Sequence, residues 1–248
     1  VSGKKQIENV GMKSKKSNPV NSRFRGIRIA AIVAAFCLLV PAAVVWVLVG
    51  FSPRAYCPPP IEQPEQVSPY LTHKLGPDFY NQAQFYEPFE LIVEQDGLND
   101  IIGRDQWPRR FGEVTVFRPM IIFEKDTVYL MGRVEVYGIS PVLTLAARPV
   151  MDERGRLNVN IRSVQLGLLP ITRVAAHVAE KALADSAELF EDWPGLETVV
   201  KAIVGNEFFE PSFDFGKQRV TVKDFSLEPG QLRLYLVPQI KSANSATP

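Results

Sequence analysis

One uninterrupted apolar run, Ile29 to Phe51, constrains this chain more than any other feature. It holds 23 residues and no charge. A helix rising about 1.5 Å per residue over that length spans a ~30 Å hydrocarbon core with some tilt to spare. Eight basic residues precede the run (Lys4, Lys5, Lys13, Lys15, Lys16, Arg23, Arg25, Arg28) against one acid, Glu8. Basic flanks stay in the cytoplasm, so the pattern predicts a cytoplasmic N-terminal tail and an extracytoplasmic C-terminal domain on a plasma (inner) membrane. The apolar part exceeds the roughly 7–15 residues of a signal-peptide core, and no small-x-small site follows it. An uncleaved, single-pass signal anchor is therefore expected.

The near-zero net charge hides an asymmetry. The whole chain has 28 basic and 27 acidic residues. Residues 1–28 carry eight and one of these, a net of +7. The remainder carries 20 and 26, a net of −6. A basic segment abutting a span suits anionic lipid head groups rather than nucleic acid, or simply orients the helix. The reading divides the chain into a basic disordered tail (1–28), a transmembrane helix (29–51), a proline-rich spacer (52–70), an α+β domain (71–240) and a disordered tail (241–248). Five prolines between Cys57 and Tyr70 predict an extended, stiff spacer that holds the domain off the bilayer.

Two cysteines allow no disulfide framework within the domain. Cys37 lies in the apolar run. Cys57 is either a free thiol or a cross-link to another chain. Ala31 and Ala35, four apart, offer a small-residue helix face for a partner membrane protein.

Within the domain, Phe89–Val93 reads as a strand and residues 97–102 as a short helix capped by Asp96. Four strand-like runs follow, near Val114–Phe123, Thr127–Tyr137, Val142–Met151 and Arg156–Leu169, separated by turn compositions. Residues 170–190 carry apolar groups at helical spacing, and a second short helix is expected at 194–204. Three more strands, Phe209–Phe215, Arg219–Leu227 and Gln231–Val237, complete the order. The expected fold is α+β: one transmembrane helix, then a large antiparallel sheet packed on one long helix.

Several short signals fall in a suggestive order. They are Leu98-Asn99 in the short helix, Gly132 central to a strand, and Arg148-Pro149-Val150 ending the next. Then come the turn Asp152-Glu153-Arg154-Gly155, Leu157-Asn158-Val159-Asn160-Ile161, and Val164 to Pro170 leading into the helix. In this order the stretch Phe89–Leu189 resembles the YpmS-like family of single-pass membrane proteins of unknown function. More distantly it resembles LmeA-type proteins and tubular lipid-binding domains. The resemblance implies a curved sheet wrapped on a long helix, apolar space for an acyl chain and a bacterial cell envelope. It implies no catalytic residues.

Signals for chemistry are sparse. His73 and His177 have no Cys or His at ligand spacing, so no metal or cofactor is expected. No nucleophile elbow or phosphate-cradling loop appears. Asp152 and Glu153 share a turn, where acids are usually solvated. The chain reads as a non-enzyme.

The apolar faces say more. Leu130, Val134, Leu143, Leu145, Val159 and Ile161, with Val174 and Val178 of the helix, form either an ordinary filled core or a groove for lipid. Arg104, Trp107, Arg109 and Arg110 form a second cluster, suited to phosphate head groups or to a solvated turn. Two functions compete: a lipid-binding or lipid-handling module tethered at the membrane, and an accessory subunit or assembly factor of a larger membrane complex, joined through the helix or Cys57.

Overall fold

The computed structural model describes residues 20–105, 107–111, 114–135, 138–177, 196–216 and 218–240, with side chains from residue 32 onward except at 111, 196, 197 and 240. The expectations for residues 1–19, for most of the 170–190 helix, including Val178, and for 241–248 lie outside the described residues.

Helix α1 runs Val20–Gly50 and includes Pro41. It starts nine residues before the apolar run, among residues 20–28 expected to be disordered. Arg and Phe there carry little or moderate helix penalty, so a helix already formed by the apolar run extends through them. The stretch Ile32–Gly50 is long and apolar enough to cross a membrane. Phe36, Leu38, Leu39, Val44 and Val47 are all exposed. A helix apolar on every side with exposed side chains suits lipid rather than water. The chain divides into two units at Val45–Trp46, so the last helical turn, Trp46–Gly50, belongs with the domain.

The domain is α+β, but its described residues form two antiparallel sheets where one was expected. Strand β1 (Phe89–Glu94) does not join the strands that follow it. It pairs with β10 (Gln231–Ile240), which pairs with β9 (Gln218–Glu228), which pairs with β8 (Ser212–Phe215). The reason is alternation: Phe89, Leu91 and Val93 are buried while Glu90, Ile92 and Glu94 face out. Their register partners Leu236, Leu234 and Leu232 are the apolar residues of β10. Pairing these two strands gathers one apolar face. A π-helical turn (Leu71–Leu75) and helix α2 (Gly76–Ala83) cover that face. Phe79 stands edge-on to Phe215 at 4.8 Å between ring centroids and to Phe89 at 5.9 Å. The aromatics of residues 71–88 follow no single period along the sequence.

The second sheet is a six-stranded meander in chain order: β2 (Arg109–Phe111), β3 (Val114–Glu124), β4 (Thr127–Glu135), β5 (Val142–Met151), β6 (Leu157–Leu166) and β7 (Leu169–Pro170). Two bulges interrupt it. Arg118 and Pro119 of β3 stand against Gly132 alone, and β6 carries one extra residue, Arg162, between partners of Ala146 and Ala147. Helix α4 begins after β7 and covers residues 172–177; α5 spans Leu196–Val204.

Helix α3 (Gln95–Gly103) links the sheets. Asp96 lies in its first turn; Glu94 is the extended residue before it. Asn99, buried, uses its side-chain amide to pair with the backbone of Ile121: Oδ1 accepts from Ile121 N at 2.7 Å and Nδ2 donates to Ile121 O at 2.8 Å. Gln95 Oε1 accepts from Phe123 N, and Gly230, in the β9–β10 turn, donates to Phe123 O. The part of β3 beyond the reach of short β2 thus has its backbone groups satisfied by side chains and a turn rather than by another strand.

Residues 52–70 are fastened to the domain instead of standing off as a spacer. Tyr56 Oη donates to Arg118 O at 3.0 Å and accepts from Arg133 N at 3.3 Å, bridging backbone groups that the bulge releases from the ladder. Arg104 Nη1 donates to Gln63 O at 2.7 Å, and buried Ser68 bonds Asp100. Prolines stiffen this segment, but turns at residues 53–56 and 63–66 bend it onto the sheet.

Candidate functional site

Strand register sorts the residues of the six-stranded sheet onto two faces. Leu130 is the direct cross-strand partner of Leu145 and of Ile121. Leu143 pairs with Leu166 and Leu145 with Val164; Ile161 pairs with Ala147 and Val159 with Pro149. Paired residues in an antiparallel sheet share a face. Leu130, Val134, Leu143, Leu145, Val159 and Ile161 therefore lie on one apolar face, as the sequence spacing suggested. Val134 is buried, but Leu143, Leu145, Val159 and Ile161 are only half-buried and Leu130 is 42% exposed.

Both faces carry buried residues: Phe123, Val134, Ala147 and Val164 on the Leu130 face, and Met120, Met131, Val142, Thr144, Ala146 and Asn158 on the opposite one. Thr144 Oγ1 lacks a hydrogen-bond partner among the described residues. Asn158 reaches across to donate to Asn206 O at 2.9 Å. The sequence left the Leu130 face as either an ordinary core or a groove for lipid. Burial of the other face follows from small residues, Thr144 and Ala146, which permit close cover, a property that hydrophobicity alone does not signal.

Val174 is 63% exposed on α4. His177 and His73 are exposed as well. Among the described residues, cavities of about 240 to 500 Å³ lie elsewhere than between the Leu130 face and α4. One, about 500 Å³, is an open site on the outer face of the small sheet beside Glu90, Arg233 and Tyr235. Another, about 480 Å³, runs between the proline-rich segment and α3, lined by Val67, Leu71, Ile101 and Trp107.

The arginine cluster has structural duties. Arg104 bonds Asp100 through Nε at 2.8 Å besides clamping Gln63. Trp107 donates Nε1–H to Ile102 O at 2.7 Å, and the Arg109 guanidinium stacks 5.4 Å from the Trp107 ring centroid while pairing with Asp105. Arg110 lies exposed on β2. Sequence proximity grouped the four residues; the fold gives Arg104 and Trp107 to the α3 end.

Asp152 is more than a solvated turn acid. Its Oδ1 accepts from Arg154 N and Arg156 N, and its Oδ2 from the Arg156 guanidinium. The Arg156 backbone hydrogen bond, then that residue's side chain and the Arg154 N–H, hold its carboxyl below the usual range. The Lys74 pKa is raised, chiefly by its hydrogen bond to Glu94. Both pairs lie at the surface. Among the described residues no group of three His, Cys, Asp or Glu side chains is placed to hold a metal. Cys57 and Cys37 are free and exposed, and Ala35 is exposed on α1; the Ala31 side chain lies outside the described residues.

The chain matches no family profile, no curated protein and no solved structure.

Proposed function

We propose that this chain is a single-pass membrane-anchored, non-catalytic module that binds or handles lipid, with its domain on the extracytoplasmic side. The observation that carries the reading is the partly exposed aliphatic patch around the Leu130–Leu145 pair, on a sheet face where Phe123, Val134, Ala147 and Val164 are buried. An aliphatic patch left partly uncovered suits an acyl chain, which needs aliphatic contact and no hydrogen bonds. The bulges at Arg118-Pro119 and Arg162 bend their strands, which favours a curved sheet. A long helix over residues 170–190 would supply the second wall, in keeping with the resemblance to the YpmS-like family. The apolar helix supports an uncleaved anchor, because the domain bonds to its last turn: Leu168 N donates to Leu48 O at 2.8 Å.

The test is native mass spectrometry and lipid extraction on the full chain in mild detergent. Wild type is expected to retain a stoichiometric lipid that Leu130→Glu loses without unfolding. A wild-type protein free of lipid, especially one holding a stoichiometric partner protein instead, would turn the assignment to an accessory subunit of a membrane complex.

A further inference from the structure

The end of the apolar helix and one edge of the large sheet are built against each other. Leu168 N donates to Leu48 O at 2.8 Å. Gly167, at φ +61°, sits where any Cβ would collide with the carbonyl oxygens of Leu48, Val49 and Phe51. Those carbonyls are the ones a helix end leaves without intrahelical partners, and the β6–β7 turn meets them. Beside this contact a cavity of about 240 Å³ is lined by Trp46, Val49 and Gly50 together with Ile139, Ser140 and Pro141 of the β4–β5 loop. Residues 138–141 and 166–170 contain no charged side chain. Leu168 is 44% exposed and Trp46 is 67% exposed.

We infer that the 138–141 loop and the 167–168 turn form a foot seated in the leaflet where the membrane span ends, so that the apolar sheet face opens onto the bilayer. Leu48 lies two residues before the helix end, about 3 Å along the axis. A backbone bonded to it shares its depth, at the hydrocarbon boundary. Aliphatic Ile139 and Leu168, with Trp46 at the same level, are the side chains that boundary favours. The foot also adjoins the candidate groove. Gly167 N donates to Val142 O, and the next pair inward is Leu143 with Leu166, the last pair of the aliphatic face. The occupant is then an acyl chain of a bilayer lipid, entering from the leaflet without crossing water. This last step rests on the lipid-binding reading; the seating does not.

Full-length protein with Cys37→Ser and Cys57→Ser, and a single cysteine at Leu168→Cys, Ser140→Cys or Arg154→Cys, is labelled with an environment-sensitive fluorophore. It is reconstituted in phosphatidylcholine–phosphatidylglycerol vesicles. Arg154 lies in the turn at the other end of β6, roughly 30 Å away for a ten-residue strand. Lipid bearing a shallow doxyl quencher is expected to quench the labels at 168 and 140 severalfold more than the label at 154, with the order reversed for aqueous iodide. Equal iodide access at all three positions overturns the seating, even if lipid copurifies. Strong doxyl quenching at 168 and 140 upholds the seating even if no lipid copurifies, and the failure then belongs to the lipid-binding reading alone.

Discussion

The side-chain amide of Asn99 pairs with both backbone groups of Ile121, at 2.7 and 2.8 Å, and so acts as one residue of a missing strand. Asn99→Leu keeps the approximate volume but leaves a buried N–H and C=O unsatisfied, a loss of about 2–4 kcal/mol. Denaturant unfolding in micelles should show the lower midpoint. Asn99→Asp should be no rescue, because the lost donor leaves the Ile121 carbonyl facing an acceptor. An unchanged midpoint for either variant would mean that the edge of β3 is satisfied in some other way.

Tyr56 bridges the bulge by its hydroxyl alone, so Tyr56→Phe isolates that bond. The site is partly exposed and water can replace the phenol, which limits the loss to about 1 kcal/mol. The more telling readout is local. Amide exchange at Arg133 should speed up, and the 52–66 segment should become more sensitive to protease, while exchange in β1 and β10 stays unchanged.

Gly167 and Gly155 both adopt positive φ, but only Gly167 faces backbone atoms. Gly155→Ala should cost about 1 kcal/mol, the usual penalty of a left-handed conformation for a residue with Cβ. Gly167→Ala should cost clearly more, because its methyl meets carbonyl oxygens that cannot swing aside. Paired thermal melts of the two variants read the difference; equal shifts would show that the helix end does not bear on the turn.

Acid should loosen the β5–β6 turn. The Asp152 carboxyl titrates below its ordinary value because three donors favour its charged form. A group with a depressed folded-state pKa contributes stability at pH above its unfolded value, near 4, and loses that contribution as pH falls through the lower folded value. Asp152→Asn should therefore be less stable than wild type at pH 7, with the gap closing below about pH 4. Chemical shifts of the Arg154 and Arg156 amides offer a local probe; a gap independent of pH would remove charge from the explanation.

Much of the strand order was legible because each strand carries its own punctuation. Val142–Met151 begins after Pro141 and stops at Asp152, and the structure ends it at the same residues. Glu228-Pro229-Gly230 announced a hairpin, and Gly230 has the positive φ that such a turn requires. The division into two sheets was not legible, since pairing of β1 with β10 depends on segments about 140 residues apart that no local pattern connects. Nor was the docking of residues 52–70. Prolines foretell stiffness, but the partners of Tyr56, Ser68 and Gln63 lie on α3 and at a bulge that only the folded register creates. The aliphatic side of the candidate groove could be read from alternation in single strands. That the opposite side is also buried could not, because that depends on how closely Thr144 and Ala146 let neighbours approach.

Phe89 faces Leu236 across the first and last strands of the small sheet, and among the described residues β1 has no other strand beside it. During synthesis the meander β2–β7 can close hairpin by hairpin as it emerges, whereas β1, made earlier, must wait for residues 231–240. Until then its row of Phe89, Leu91 and Val93 and its unpaired edge stay open to wrong partners. A ribosome-tethered chain halted before β10 should be held by chaperones through β1, while its longer sheet is already protected.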